Sequence, residues 1–286
     1  MNKRTKQFST GTFLTYFTLI LIAVITVLPF LIVISTSFKT YGEAIATEFS
    51  LIPKEFSLDG YKILFNTKSN DGVSLLVSGF LNTMKIMILP VFGGTFVSSM
   101  AAYAFAKLNF TGREVLFKLL LATMMIPGTI ILIPSYILYS YVGWVDTYLP
   151  LILPGLFGSA GTIFFLRQYF SGISTELLEA GRIDGLGFAG CFFRIYAPLA
   201  KAPICAQALL AFVGVYNDYM GPKTYLLNAV DKYPLQLILT RFQQRNPVDF
   251  HAIMASTIVA MIPTMLIYLM TQKTFVDGVT AGGIKG

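Results

Sequence analysis

Six stretches without Asp, Glu, Lys or Arg constrain the fold of this chain more than any other feature. They lie at 7–38, 86–106, 119–145, 147–166, 202–217 and 252–272. A helix that crosses a bilayer needs roughly 20 predominantly apolar residues, and five of the stretches reach that length. The shorter one, 202–217, can be extended on both sides by uncharged residues. The runs are continuously apolar and do not alternate, which favours helices over the strands of a membrane barrel.

The sequence therefore predicts an all-α membrane protein with six transmembrane helices inside a domain that spans 11–273. The predicted helices lie at about 11–36, 76–106, 115–141, 147–170, 195–219 and 251–273. They leave an amino-terminal segment 1–10, a loop 171–194 and a tail 274–286. Only 12% of the residues are charged, against about 25% in ordinary soluble domains. A soluble core of this chain length would not absorb so much apolar surface.

The first apolar stretch follows a basic start, as a secretory signal peptide does, but it is predicted to be a retained helix. It is far longer than the apolar part of a signal peptide. The small residues of a candidate cleavage site, Ala44-Ile45-Ala46, lie well beyond its end.

The distribution of basic residues predicts the orientation of the six helices. With both termini in the cytoplasm, twelve basic residues fall inside and eight fall outside, as the positive-inside rule requires. The net charge of +7 then reflects cytoplasmic flanks, and no nucleic-acid surface is predicted. Two cysteines, Cys191 and Cys205, and one histidine, His251, make a metal site improbable.

A charged, glycine-rich segment, "LEAGRIDGLGFAGCFFRIYAPLAKAP" at 178–203, interrupts the apolar pattern. Ser174 or Thr175 can cap the start of a helix there. Glu176, Glu179 and Arg182 recur every three residues, so they share one helix face. Leu177, Ala180, Gly181 and Asp184 follow a neighbouring face. Gly185 can adopt positive φ and end this helix.

A second short helix is predicted from Gly187 towards Tyr196, which makes the loop 171–194 a helix–turn–helix knuckle on the cytoplasmic side. Docking of a soluble partner explains its acidic residues, because Glu176, Glu179 and Asp184 would be repelled by anionic lipid headgroups. An amphipathic loop lying in the headgroup region is the alternative.

The same segment resembles the signature of ABC importer permeases, the subunits through which a cytoplasmic ATPase drives bacterial solute uptake. Glu179, Ala180, Gly185, Ile195 and Pro198 fall on the signature at the required spacings. Gly181 and Ala197 depart from it, at positions where alanine and leucine are usual. Three further segments resemble the MalG-like permeases of carbohydrate importers: "AAYAFAKLNFTGRE" at 101–114, "YNDYMGP" at 216–222 and "TFVDGVTAGGIKG" at 274–286. Tyr216 stands where that group commonly has tryptophan.

The resemblance implies the MetI-like fold of type I ABC importers, in a bacterial cytoplasmic membrane. It implies a heterodimer with a second, homologous permease, ABC ATPase subunits and an extracytoplasmic solute-binding protein. It further implies a carbohydrate substrate, with a di- or oligosaccharide favoured. ATP and Mg²⁺ would bind the ATPase, and no cofactor or catalytic activity is expected on this chain, which has no G-x-x-x-x-G-K-[ST] motif. The residues expected to couple it to the ATPase are Glu176, Glu179, Ala180, Gly181, Arg182, Asp184 and Gly185.

The substrate path is predicted less sharply, from polar and aromatic residues in or near the spans. The candidates are Asn82, Tyr103, Tyr136, Tyr139, Tyr216, Asn217 and Asp218. Packing or interfacial roles are the alternative for each of them. Two rival classes lack support. An ion-coupled secondary transporter would show internal repeats and membrane-centred charges, and a membrane-embedded enzyme would show a nucleophile, carboxylate pair or metal cluster within the spans. An ABC permease for a non-sugar polar solute stays open.

Overall fold

The computed structural model describes residues 10–68, 72–243 and 249–283, which form helices joined by loops and contain no strand. The chain divides into two compact units, one of Met1–Thr67 with Leu239–Met261 and one of Lys68–Ile238 with Ile262–Gly286. The α-helices of the described residues lie at Thr10–Ser37, Tyr41–Ala44, Asp59–Asn66, Leu75–Ile88, Thr95–Lys107, Arg113–Met124, Gly128–Tyr141, Leu149–Leu156, Ala160–Ser171, Glu176–Ile183, Phe188–Cys191, Ala197–Leu199, Lys201–Tyr216, Met220–Tyr225, Leu235–Gln243 and Phe250–Gly283. Two π-helical turns, Leu89–Gly94 and Phe192–Tyr196, and a 3₁₀ turn, Val230–Lys232, complete the set.

Four helical segments are long and apolar enough to cross a membrane: Gly11–Ser37, Leu75–Lys107, Leu149–Ser171 and Phe250–Lys273. Two bent helix pairs pass the same test, so the described residues supply up to six spans when each pair is one span. The predicted all-α membrane fold is confirmed. Below, Leu75–Lys107 is called the second span and Leu149–Ser171 the fourth.

The helix predicted at 115–141 is not continuous. Helix Arg113–Met124 ends, and Gly128–Tyr141 starts at an angle of 95° to it. Pro127 lies in the break. It has no N–H to donate to the preceding turn, and its ring pushes Ile126 out of helical geometry.

The helix predicted at 195–219 is also broken. It starts earlier, at Phe188, runs to Leu199 and resumes at Lys201 after an 82° bend. Pro203 explains the bend, because it cannot donate the hydrogen bond that the carbonyl of Leu199 would accept in a straight helix. The hydroxyl of Tyr169 donates to that carbonyl instead, at 3.0 Å.

In the first unit, the loop after Thr10–Ser37 is organised by two charged side chains. Nζ of Lys39 donates to the carbonyl of Ser50 at 2.6 Å. The carboxylate of Glu43 accepts from the backbone N–H of Lys54 and from the hydroxyl of Ser50. These hydrogen bonds, that from Lys54 first, hold the pKa of Glu43 below its usual value. The loop therefore has a defined conformation.

In the second unit, the second and fourth spans approach closely through small residues. A Cβ atom added to Gly94 would overlap the carbonyl oxygen of Gly155. Gly158 has a φ of +87°, and the N–H of Ser159 beside it donates to the hydroxyl of Ser98 at 3.0 Å. Small residues let two helix backbones approach this closely inside a membrane.

Candidate functional site

The knuckle starts with a short helix whose two ends are formed as local sequence predicts. Helix Glu176–Ile183 begins where the hydroxyl of Ser174 accepts the N–H of Glu176 at 3.2 Å, whereas Thr175 makes no side-chain cap. It ends in a Schellman motif, with Gly185 at a φ of +82° and the N–H of Leu186 donating to the carbonyl of Gly181. The turn predicted at Gly185 is therefore present.

This helix has one buried and one exposed face. Leu178 and Gly181 are buried. The remaining predicted coupling residues are exposed: Glu176, Glu179, Ala180, Arg182, Asp184 and Gly185. The guanidinium of Arg182 also lies over the ring of Phe188, 5.1 Å from its centroid, and so connects the two arms of the knuckle.

Apolar side chains also project from the exposed face. Ile183 was not predicted from the sequence to be one of them. The side chain of Ile183 is 86% exposed and that of Leu177 is 40% exposed. They flank Ala180 at a spacing of three residues, which is the signal that was available in the sequence. An apolar strip bordered by Glu176 and Glu179 has the chemistry of a protein-docking surface.

Gly181, a departure from the signature, allows close packing within the knuckle. A Cβ atom there would lie 2.8 Å from Cδ1 of Ile195 and 3.1 Å from Sγ of Cys191. Both neighbours belong to the helix Phe188–Leu199, so glycine allows the two arms to approach closely. Alanine fits this position only if those side chains move.

An aromatic core supports the knuckle from the spans. Tyr103 of the second span contacts Phe170, Phe192 and Tyr196, with ring centroids 5.0–6.2 Å apart. Tyr103, Phe170, Phe192 and Tyr196 are all buried, together with Leu178 of the docking helix. Tyr103 was a candidate for the substrate path, and its hydroxyl donates to the carbonyl of Phe188 at 3.1 Å. In this structure Tyr103 belongs to the support of the knuckle.

Asn82, near the other end of the second span, is buried and fully hydrogen-bonded. Its Nδ2 donates to the carbonyls of Asp231 and Tyr233 at 2.7 and 3.2 Å. Its Oδ1 accepts from the hydroxyl of Tyr148 at 2.8 Å. In this conformation Asn82 connects the span to the segment 231–233.

The other predicted path residues are in varied environments. The ring of Tyr216 is buried and stacks on Phe212, with centroids 5.5 Å apart. Tyr136 is half-buried, and Tyr139 stacks on Trp144. Asn217 and Asp218 are exposed just after the helix Lys201–Tyr216.

Asp218 lines a cavity of about 310 Å³. Thr129 and Tyr225 also line it. The carboxylate of Asp218 accepts the N–H of Gly221 at 3.1 Å, and Oδ1 of Asn217 accepts from Gln236 at 3.2 Å. The structure thus brings Asp218 to a cavity but does not gather the other path candidates around it.

Comparison with known proteins assigns the fold first. The chain matches a solved structure described as a bacterial ABC transporter involved in the import of the acidic polysaccharide alginate. The TM-score is 0.82 at 22% identity, over 96% of this chain and 100% of that one. The chain therefore has the fold of an ABC importer permease, as the resemblance implied.

Sequence comparison then assigns the family. Residues 94–280 match the model for binding-protein-dependent transport system inner membrane components. The polygalacturonan/rhamnogalacturonan transport system permease protein of Bacillus subtilis is 34% identical, over 96% of this chain and 97% of its own length. The galactooligosaccharide transport system permease protein of the same organism is 32% identical, over 95% and 94%. This chain belongs to the family of binding-protein-dependent transport system inner membrane components and is a membrane protein.

Proposed function

We propose that this chain is a permease subunit of an ATP-driven importer for a carbohydrate, with a di- or oligosaccharide as the favoured substrate. Its relatives include permeases named for galactooligosaccharide and arabinooligosaccharide transport. The observation that carries the mechanism is the exposed face of helix Glu176–Ile183, which combines acidic residues with the apolar strip of Leu177, Ala180 and Ile183.

In this proposal the knuckle lies in the cytoplasm, as do both termini, and an ATPase subunit docks on it. ATP and Mg²⁺ bind that partner. A ligand shifts a conformational equilibrium only through its different affinity for the two states. ATP binding to the partner would therefore favour one arrangement of the spans by moving the docked knuckle. A second permease completes the path, and an extracytoplasmic binding protein delivers the solute.

The substrate path stays a proposal for Asn82, Tyr136, Tyr216, Asn217 and Asp218. The cavity beside Asp218 supports it best, because a carboxylate, a hydroxyl at Thr129 and an aromatic ring at Tyr225 are groups that bind sugars. Asn82 and Tyr216 would act only after a rearrangement, since they are buried in this conformation.

The test uses tagged chain purified with its partners from its own host, together with uptake of labelled oligosaccharide by the same cells. Glu179→Arg reverses an acidic charge on the docking face, and Ile183→Asp places a charge within its apolar strip. Each is expected to reduce both the co-purified ATPase and the uptake by at least about tenfold, the cost of losing one interface hot spot. Membrane levels of the chain should not change.

Glu55→Arg is the matched control, because it reverses an exposed glutamate outside the knuckle. It should leave uptake unchanged. Normal uptake in both knuckle variants would refute docking at this face. Uptake that follows an ion gradient and ignores ATP would instead support a secondary transporter.

A further inference from the structure

Lys107, the last residue of the second span, is a buried cation without a role in the mechanism proposed above. Only 8% of its surface is exposed. No ion pair among the described residues includes it. A buried charge without a carboxylate partner is costly and needs strong hydrogen-bond acceptors.

Nζ of Lys107 donates to the carbonyl of Ile173, the residue that leads into the docking helix. Ile173 follows the carboxyl end of helix Ala160–Ser171. The carboxyl end of a helix carries partial negative charge, which favours a nearby ammonium group. The ammonium group also lies 5.8 Å from the centroid of the Tyr196 ring, a distance at which a cation and an aromatic face attract.

The second span holds both arms of the knuckle with one helix face. Tyr103 and Lys107 are four residues apart and therefore neighbours on that face. Tyr103 donates to the carbonyl of Phe188, where the second arm begins, and Lys107 donates to that of Ile173, before the first arm. The hydroxyl of Tyr196 closes the arrangement by donating to the carbonyl of Ser174 at 3.1 Å.

By contrast, the chain that continues from the knuckle bends by 82° before Lys201–Tyr216. The knuckle is thus clamped by side chains to the second span, while its covalent connection to the next span passes through a break in the helix. A force applied at the docking helix reaches the second span through these donors.

We infer that Lys107 is a positioning residue that clamps the knuckle to the second span, so that ATP-driven movement of the knuckle is passed to Leu75–Lys107. This inference rests on the proposed function. The position of Lys107 predicts its effect: it lies away from the exposed docking face, so its loss should leave the ATPase bound but reduce how much transport each ATP drives.

The experiment measures solute transported per ATP hydrolysed, using the complete complex reconstituted in liposomes with its binding protein. Lys107→Met should lower this ratio about tenfold, the lower end of what a hydrogen bond from a charged group is worth. Lys107→Arg keeps the charge and donors, so it should stay within about twofold of the original. Lys118→Met, the same change at an exposed lysine, is the matched control and should have no effect.

A second readout follows the clamp directly. Spin labels at Asn109→Cys and Ala189→Cys, two exposed positions, report the distance between the end of the second span and the knuckle. The exposed Cys205 is replaced by serine. The distance distribution should stay narrow and unchanged between nucleotide-free and ATP-bound complexes, and should broaden with Lys107→Met.

An unchanged transport ratio and an unchanged distance distribution in Lys107→Met would overturn the inference. If that variant does not assemble, Tyr103→Phe removes only the hydroxyl by which the second span donates to the carbonyl of Phe188. It should lower the ratio about threefold, as expected for a neutral hydrogen bond, and an unaltered ratio would equally refute the clamp. Failure of the proposed function is a different result, namely no ATP-dependent uptake by the unmodified complex.

Discussion

The two ends of the second span are fastened by different chemistry. At the end that carries Lys107, aromatic rings bury the donors, and the knuckle presents an exposed apolar and acidic face beyond them. At the end near Asn82, polar side chains hydrogen-bond to the backbone of the segment 228–233. At both ends side chains hydrogen-bond to backbone groups, and at the Lys107 end these hydrogen bonds lie within a buried aromatic cluster.

The hydrogen bonds at the Asn82 end of the second span are centred on Asn82 and Asp146. The carboxylate of Asp146 accepts from the backbone N–H of Asn228 at 2.8 Å and of Ala229 at 3.3 Å. Its carbonyl accepts from Nζ of Lys232 at 2.7 Å. Asp146 has a φ of +60°, an uncommon conformation for a residue other than glycine. These hydrogen bonds offset the cost of that backbone conformation. They also hold the segment 228–232 in a defined conformation.

Among the substitutions that test the difference between the two ends of the second span, the largest loss of stability is expected at Asn82. Asn82→Leu leaves the carbonyls of Asp231 and Tyr233 and the hydroxyl of Tyr148 without their partner. It should destabilise the second unit by about 1–3 kcal/mol, the cost of removing a buried side chain that hydrogen-bonds to three groups. Thermal unfolding in detergent measures the loss, and hydrogen exchange should rise at 229–235 but not in the knuckle.

Asn82→Asp is the control for this change, because it keeps the acceptor for Tyr148 and loses both donors. Because a carboxylate oxygen then faces the carbonyls of Asp231 and Tyr233 at a buried position, Asn82→Asp should destabilise the second unit at least as much as Asn82→Leu. A loss below about 0.5 kcal/mol for Asn82→Leu, the range of ordinary surface changes, would mean that the segment 229–235 does not depend on this residue.

An intermediate effect is expected inside the knuckle. Gly181→Ala introduces a methyl group against Ile195 and Cys191 and should cost about 1 kcal/mol, the low end of overpacking penalties, because the ends of side chains can move. The penalty should be smaller when it is measured in a Cys191→Ala background, since the contact with Sγ is then absent.

Gly187→Ala provides the matched control for Gly181→Ala. Gly187 has a φ of −70°, and a Cβ atom there meets nothing within 4 Å. It should unfold at the original temperature. An equal loss of stability for Gly181→Ala with and without Cys191 would show that the two arms of the knuckle do not contact each other through these residues.

The smallest effect is the pH dependence of stability that Asp146 should cause. Hydrogen bonds, that from the N–H of Asn228 first, hold the pKa of Asp146 below its usual 3.8. Because the folded pKa is lowered, the stabilisation is complete above pH 3.8 and is lost as the pH falls towards the folded value. The melting-temperature difference between the original chain and Asp146→Asn should therefore shrink below pH 3.8. A difference that is constant from pH 7 to pH 3 would contradict this.

Several features of the site follow from short stretches of sequence. The exposed face with Glu176 and Glu179 and the turn at Gly185 depend on contacts within one or two helical turns. Such contacts can be read from residue spacing. The close packing at Gly181 could not be read this way, because the atoms nearest to an added Cβ belong to residues 191 and 195 of the other arm.

The bends in the third and fifth predicted helices also depend on residues that are distant in the sequence. Pro127 and Pro203 were visible, but a proline in a transmembrane helix is tolerated wherever neighbours satisfy the freed carbonyl. The carbonyl of Leu199 is satisfied by Tyr169, which lies thirty residues earlier in the chain. Whether such a proline bends a span by 82° or merely kinks it depends on that distant partner.

The sequence by itself determined that the chain enters a membrane and carries a charged knuckle, since transfer of apolar residues from water and local helix geometry depend on composition and spacing. Only the tertiary structure decided which polar groups are free to act. Lys107, Asn82 and Tyr103 are indistinguishable in the sequence from exposed candidates. Their hydrogen bonds to backbone carbonyls 66 to 151 residues away give them structural roles, because a buried donor must take whatever acceptor the fold brings within reach.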